Sequence, residues 1–411
     1  MKKIITRPFD RAKIPPRQNP VILFGMWIWS LFTVKGHHLK ITKTDMDGLK
    51  PPYIVLSNHL SFTDFAVTPL ALFPHRANYV SELEGFELYG GLFYRHLGAL
   101  GTRKFVDDLA LIKNIKRVVD RGDIIVIYPE ARYTNHGKET IIPDSVGKLC
   151  KMLGVPVVIL NMKGNYLRMP IWNTKVRKQA RLSAELKQLF RADELKNTPV
   201  EDINKAIREA LAFDEYRYQF DNKIKIDEPW RAEGLEKVLY QCPVCKHEFT
   251  TKTEGAELFC KNCGTSWTMD EYGRLISGRQ MTSVPKWYEW QRRQVIQEID
   301  SGKYHFKGKV HIESLPNEYN FIDLGEGMLE HREEGFYLTF KDFGEKEAKT
   351  MFFSSKGLFS LHTEYNYRDK KGMCITLSTL DNTYFLYPRC EGFNPTKLQF
   401  AAEYMHEKER Q

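Results

Sequence analysis

The sequence predicts an α/β fold built on a mixed sheet, followed by a small metal-knuckle segment and a β-rich C-terminal part. Three observations predict it. Short apolar runs alternate with helix-like stretches through the first half of the chain. Four cysteines stand in two tight pairs in the middle. Beyond about residue 305 the texture changes to short apolar runs divided by polar turns. At 411 residues the chain has room for two or three domains, and with 42% hydrophobic and 27% charged residues it is ordinary globular material. The formal net charge of +9 favours anionic partners. Acidic lipid, phosphorylated substrates and nucleic acid all qualify, and charge alone does not choose among them.

The first element is a basic segment followed by an apolar one. Residues 1–18 carry Lys2, Lys3, Arg7, Arg11, Lys13 and Arg17 against a single acid, Asp10. The uncharged run 20–34 contains Phe24, Trp27, Trp29 and Phe32. It is too short for an upright membrane span, which needs about 20 residues. The long basic stretch with no small-residue cleavage site does not read as a signal peptide. Two readings stay open. One is a buried core helix. The other, which we favour, is an interfacial helix with basic residues on headgroups and indoles at the water boundary. Residues 1–40 are therefore expected to be a membrane-associating segment.

Residues 53–58 (YIVLSN) predict a buried strand ending in a turn, and Asp64–Leu72 a helix with Thr63 as its cap. A second helix spans 109–119 and closes at Arg121-Gly122. Residues 124–128 (IIVIY) predict a strand, 146–153 a helix stopped at Gly154, and 155–160 (VPVVIL) another strand. Thr198-Pro199-Val200-Glu201 predicts a helix start, with Thr198 as cap and Pro199 in the first turn. Val200, Ile203, Ile207 and Leu211 then recur at helical spacing. The expected organisation is a first domain over 41–215, a linker over 216–238, the cysteine segment over 239–276 and the β-rich domain over 277–411. In the last domain, 336–340, 351–353, 358–361, 373–377 and 384–387 are strand candidates, and 395–407 is a closing helix. This pattern suits a small barrel or sandwich with a helical plug.

The residues that carry chemistry lie in 57–64 (SNHLSFTD). His59 stands at a strand end and Asp64 five residues later at a helix start. The turn can fold the carboxylate back onto the imidazole. A carboxylate on one ring nitrogen fixes the tautomer and leaves the other nitrogen to accept a proton. An imidazole, with an ordinary pKa of about 6.5, suits removal of a proton from a hydroxyl near neutral pH. No Ser or Cys sits in a nucleophile-elbow context, so direct attack by that hydroxyl on a thioester is more economical than a covalent intermediate. Tyr128-Pro129-Glu130-Ala131-Arg132 follows a buried strand, at the edge where α/β sheets bind ligands. Arg132 has the planar fork to clamp a phosphate. A structural ion pair between charged residues there is the other reading.

These residues resemble a known family. SNHLSFTD is similar to the H-x4-D block of the PlsC-like glycerolipid acyltransferases, which include the lysophosphatidic acid acyltransferases. The resemblance runs over roughly residues 20–215 by order of elements. His59 and Asp64 match the family's catalytic pair. Gly98-Ala99-Leu100-Gly101-Thr102-Arg103-Lys104 resembles the second block, whose basic residue meets the acceptor phosphate; Arg103 and Lys104 compete for that role. Tyr128-Pro129-Glu130 resembles the third block and Val155-Pro156-Val157-Val158 the fourth. There are departures. The third block usually reads Phe-Pro-Glu-Gly-Thr-Arg, whereas here Arg132 comes two residues after Glu130 and Tyr133 takes the usual Arg place. Ile159 replaces the second Pro of the fourth block. The resemblance implies transfer of a fatty acyl group from an acyl-CoA or acyl-carrier-protein thioester to a lysophospholipid hydroxyl. The implied acceptor is 1-acyl-sn-glycerol-3-phosphate, with Arg103, Lys104, Glu130 and Arg132 as substrate-binding residues. The implied place is the cytoplasmic face of a membrane with anionic lipids, held peripherally or monotopically. A relative that binds lipid without transferring acyl chains is an alternative.

Cys242-Pro243-Val244-Cys245 and Cys260-Lys261-Asn262-Cys263-Gly264, fourteen residues apart, present two pairs of thiolates that complete a tetrahedron. The arrangement resembles a zinc ribbon, and Zn²⁺ held by Cys242, Cys245, Cys260 and Cys263 is expected to be structural, since four thiolates leave no open position. A ribbon plus a basic chain also fits nucleic-acid binding. The basic residues are spread along the chain with no basic-aromatic recognition stretch, so nucleic acid is not the expected partner. The C-terminal region resembles a PH- or GRAM-like module in strand count and terminal helix. Its Phe352, Phe353 and Phe359 are expected in the core.

Overall fold

The computed structural model describes residues 4–367 and 372–410. The first sheet has seven strands: β1 (Lys40–Thr44), β2 (Ile54–Ser57), β3 (Ala77–Glu82), β4 (Ala99–Thr102), β5 (Ile124–Ile127), β6 (Val157–Lys163) and β7 (Ser183–Phe190). Their order is β1-β7-β6-β2-β5-β3-β4. All neighbours are parallel except β6 and β7, so the sheet is mixed as the sequence predicts. Val55 of β2 pairs with Val126 and Val158 on either side, and all three are fully buried. Alternation puts Ile54 and Leu56 against one apolar cluster and Val55 against another. A sheet buried on both faces explains the near-continuous apolar strands.

Helices cover both faces. Leu109–Asp120, Ser145–Leu153 and Val200–Leu211 supply Ile115, Val118, Val146, Ile203 and Ile207 to one cluster. Asp64–Leu72 supplies Ala66, Val67 and Ala71 to the other. Two expected caps are corrected. Thr63 has helical backbone angles and makes no cap; its hydroxyl instead accepts from the Arg168 guanidinium at 3.0 Å. Thr198 bonds back to the Glu194 carbonyl, and the helix beginning at Val200 has no side-chain cap. The N-terminal apolar run forms the helix Pro20–Thr33, capped by Asn19. It packs on Asp64–Leu72 with one face, while Val21, Phe24, Trp29 and Phe32 are exposed. Among the described residues no helix is long and apolar enough to cross a membrane.

Residues 216–238, expected to be a linker, are folded. The helix Glu215–Asp221 is followed by Ile224, Ile226, Leu235 and Val238, all buried in the main core. The cysteine segment forms a five-stranded antiparallel sheet of short strands: β8 (Thr251–Glu254), β9 (Glu257–Cys260), β10 (Ser266–Met269), β11 (Arg274–Ser277) and β12 (Gln280–Ser283). The 17-residue helix Val284–Asp300 then leads to the last sheet.

That sheet contains β13 (Phe306–Ser314), β14 (Ile322–Arg332), β15 (Gly335–Lys341), β16 (Ala348–Ser354), β17 (His362–Tyr367), β18 (Gly372–Ser378) and β19 (Thr383–Pro388). Its order is β16-β15-β14-β13-β19-β18-β17, antiparallel throughout. Among the described residues β16 and β17 do not pair, so it is one open seven-stranded sheet with the helix Pro395–Lys408 packed on it. The run 358–361 is not a strand; Leu358 and Leu361 are buried in a loop ahead of β17. Phe352 is also corrected: it points outward from edge strand β16 and packs on the Tyr337 ring at 4.8 Å. Phe353 packs against the core and Phe359 against Phe105.

Candidate active site

The parallel strands β2, β3, β4 and β5 end on the same side, and the candidate residues follow those ends. Asn58 closes β2: its side-chain amide donates to the Met162 carbonyl at 2.8 Å and its Oδ1 accepts from the Met162 amide at 2.8 Å. His59 comes next. Its Nδ1 lies 2.9 Å from Asp64 Oδ2. The same oxygen accepts from the Leu60 and Ser61 backbone amides at 2.7 and 3.2 Å. Asp64 Oδ1 accepts from the Asn165 side-chain amide at 2.8 Å. Asp64 has no solvent exposure, and these donors compensate for its burial. With Nδ1 facing the carboxylate, Nε2 is the ring nitrogen left to take or give a proton.

Glu130 does not point at a ligand. Its Oε1 accepts from the His59 backbone amide at 3.0 Å, and its Oε2 from the Thr140 amide and hydroxyl at 3.0 and 2.6 Å. Burial pushes its pKa up, while Thr140 and the His59 amide pull it down. Glu130 thus ties the turn after β2 to the turn after β5. Tyr128 and Tyr133 flank the imidazole, each with its ring centroid 4.3 Å from that of His59. The Tyr128 hydroxyl and Thr68 Oγ1 are 2.8 Å apart, which fixes that ring.

His59 lines a cavity of about 260 Å³ with Ser81, Glu82, Lys104, Tyr128 and Tyr133. A second cavity, of about 460 Å³, lies under the N-terminal helix and is walled by Ile22, Met26, Trp29, Phe62, Phe65 and Phe93. Phe65 lines both. The cavity that holds the imidazole therefore adjoins a second, strongly apolar one.

The basic candidates do not converge. Arg103 is buried and donates to the carbonyls of Leu315, Pro316, Leu380 and Asp381 and to Thr383 Oγ1. Arg132 is buried, 3.0 Å from Glu403 on the C-terminal helix. Lys104 remains on the cavity wall, with Nζ 2.5 Å from Glu82 and 2.7 Å from His362 Nε2. Arg132 is held in an ion pair, but with Glu403, 271 residues away, and not with Glu130 of its own block, whose partners are His59 N and Thr140. Sequence reasoning missed Asn165, Glu82 and His362. Asn165 follows Gly164 directly after β6, and a Gly-Asn pair breaking an apolar strand is the signal that was there.

The four cysteines come together. All four Sγ atoms lie within 4.8 Å of one another, with Cys242–Cys263 and Cys245–Cys260 each at 3.7 Å. A tetrahedron with Zn–S bonds of about 2.3 Å has edges of about 3.8 Å, so the thiol set fits such an ion. The two knuckles repeat one geometry: Lys246 N donates to Cys242 O and Gly264 N to Cys260 O, both at 2.9 Å. The other three cysteines, Cys150, Cys374 and Cys390, lie outside this cluster.

No curated protein sequence matches this chain. Among solved structures it is similar to the crystal structure of the 1-acyl-sn-glycerophosphate (LPA) acyltransferase PlsC from Thermotoga maritima. The identity is 14% and the TM-score 0.38, and the match covers 46% of this chain and 78% of that one. Residues 33–163, which hold β1 to β6 and the His59–Asp64 pair, match the model of the Acyltransferase family.

Proposed function

We propose that this protein transfers a fatty acyl group from an acyl thioester to a hydroxyl of a glycerolipid, with His59 as general base and Asp64 orienting it. The observation that carries the reading is the 2.9 Å contact between His59 Nδ1 and Asp64 at the wall of a cavity that adjoins an apolar one. The acyltransferase match over residues 33–163 supports it. In the proposed step, His59 Nε2 takes the proton of the acceptor hydroxyl as its oxygen attacks the thioester carbonyl. The C–O bond forms, the C–S bond breaks, and the imidazolium returns the proton to the leaving thiolate. The apolar cavity is suited to the acyl chain. The resemblance implies 1-acyl-sn-glycerol-3-phosphate as acceptor.

Exposed Val21, Phe24, Trp29 and Phe32 on the N-terminal helix, with exposed Leu88, Leu92 and Phe93, the last lining the same apolar cavity as Trp29, support docking on a membrane surface. The fit of four thiols to a tetrahedron supports a structural Zn²⁺.

The test is an acyl-transfer assay with coenzyme A and carrier-protein thioesters and detergent-dispersed acceptors. Ester product and free thiol should appear together. His59→Ala should remove both while the circular dichroism spectrum is unchanged. Ester formation by that variant at the parent rate would overturn the assignment of the base.

A further inference from the structure

We propose that the acceptor taken by the His59 cavity is a lipid alcohol with an uncharged polar end, such as a monoacylglycerol, and not a phosphomonoester. The inference rests on the acyl-transfer reading and narrows its substrate class. A phosphomonoester carries about −1.5 to −2 charges near pH 7 and needs cations with free donors to replace its water. The cavity offers one such cation, Lys104, and its charge is already matched by Glu82.

Arginine has five N–H donors. In Arg103 all five are engaged: Nε with Leu380 O, Nη1 with Leu315 O and Thr383 Oγ1, Nη2 with Pro316 O and Asp381 O. A phosphate could bind this residue only by displacing a carbonyl that would then be buried without a donor. Arg132 is 3% exposed and faces Glu403 and Ser360, away from the cavity lining. Lys104 is the remaining cation on the wall, and it sits between Glu82 and His362.

The anionic side of the balance is as strong. Glu82 and Asp107 line the cavity alongside Arg103 and Lys104, so the wall is close to neutral before any ligand enters. Glu364, 3.2 Å from His362, and Glu84 stand behind it. Burial raises their pKa values to about 7 and about 8, with Glu82 adding to the rise and Lys104 opposing it, so both hold a proton for much of the time near pH 7. A dianion placed here would meet the Glu82 and Asp107 carboxylates on the cavity wall. An uncharged hydroxyl end needs only one or two ordinary hydrogen bonds, which Ser81, Glu82 or Lys104 can supply.

The test uses the full chain with its metal, palmitoyl-coenzyme A and palmitoyl carrier protein as donors, and five acceptors in mixed micelles. These are monoacylglycerol, a long-chain alcohol, lysophosphatidylcholine, lysophosphatidic acid and glycerol 3-phosphate. The expected result is a kcat/KM for monoacylglycerol at least tenfold above that for lysophosphatidic acid. A preference for any phosphorylated acceptor overturns the proposal and leaves acyl transfer standing. Absence of ester product from all five, with thioester intact, overturns the acyl-transfer reading itself.

Discussion

Asn165 donates its side-chain amide to Asp64 Oδ1 at 2.8 Å, the carboxylate oxygen that His59 does not contact. The amide therefore sets the plane of the carboxylate, and the carboxylate sets the imidazole. A hydrogen bond to a charged group is worth about 1.5–3 kcal/mol. Asn165→Ala should lower kcat roughly tenfold, with the acceptor KM little changed. Asn165→Asp should be worse, because a second buried carboxylate beside Asp64 raises the pKa of the pair and moves the acid limb of the pH–rate profile upward. A profile identical to the parent in both variants would reduce Asn165 to packing.

Asp64→Asn keeps the shape of the site but not the charge. The imidazole would lose the acceptor that fixes its Nδ1 proton. Turnover should fall by roughly 10²–10⁴-fold at neutral pH, as measured by thiol release. A fall of less than threefold would mean that the carboxylate only holds the turn.

Glu403 joins Arg132, in the turn after β5, to the C-terminal helix. Burial raises its pKa, but Arg292 and Arg132 more than offset this and hold it at about 2. Its ordinary value is about 4.3. A depressed carboxylate contributes stability that is fully present above the ordinary value and is lost as pH falls from there towards 2. Glu403→Gln leaves the buried Arg132 and the half-buried Arg292 poorly paired and should cost roughly 3 kcal/mol at neutral pH. The gap between parent and variant in urea melts should narrow between pH 5 and 2. A gap that stays constant over that range would contradict the assignment.

The cysteine cluster predicts one tightly held metal ion per chain by elemental analysis. Chelation under mild denaturation should lower Tm, because metal binding to four thiolates is coupled to folding of this segment. Cys245→Ser and Cys263→Ser should lose the metal and show the same lower Tm without further response to chelator. Full stability of the metal-free protein would exclude a structural role.

Gly164 has φ +87, and a Cβ there would lie 2.0 Å from the Arg181 carbonyl oxygen. Its amide also donates to Glu215 at 2.9 Å. Gly164→Ala should therefore cost at least about 1–3 kcal/mol in denaturant melts, and it should shift Asn165 and so reduce kcat.

The local parts of this molecule were legible in the sequence. His59 and Asp64 are joined by a five-residue turn, so their contact needs nothing from afar. The CxxC knuckles are equally local, since each repeats a four-residue turn around its own carbonyl. The partners of Arg103 and Arg132 were not legible, because they lie more than 200 residues away in sequence. No spacing rule links a basic residue to carbonyls on a later sheet. Strands β13 and β14 escaped notice because their alternation mixes Gly, Lys and Glu with few apolar residues, and their outward faces are solvated. The supposed linker misled for a related reason. Ile224, Ile226, Leu235 and Val238 follow neither strand nor helix periodicity, yet all four are buried.

The five-donor grip on Arg103 has a practical corollary for anyone who would trim this chain to its first sheet. A fragment ending after Leu211 would strip one guanidinium of every oxygen it touches and would leave Arg132 without Glu403. Two stranded charges, that of Arg103 at the wall of the His59 cavity, would invite whatever anion the buffer contains. Such a fragment, if it folds, would report the preferences of a different pocket: its appetite for phosphorylated lipids would be an artefact of amputation.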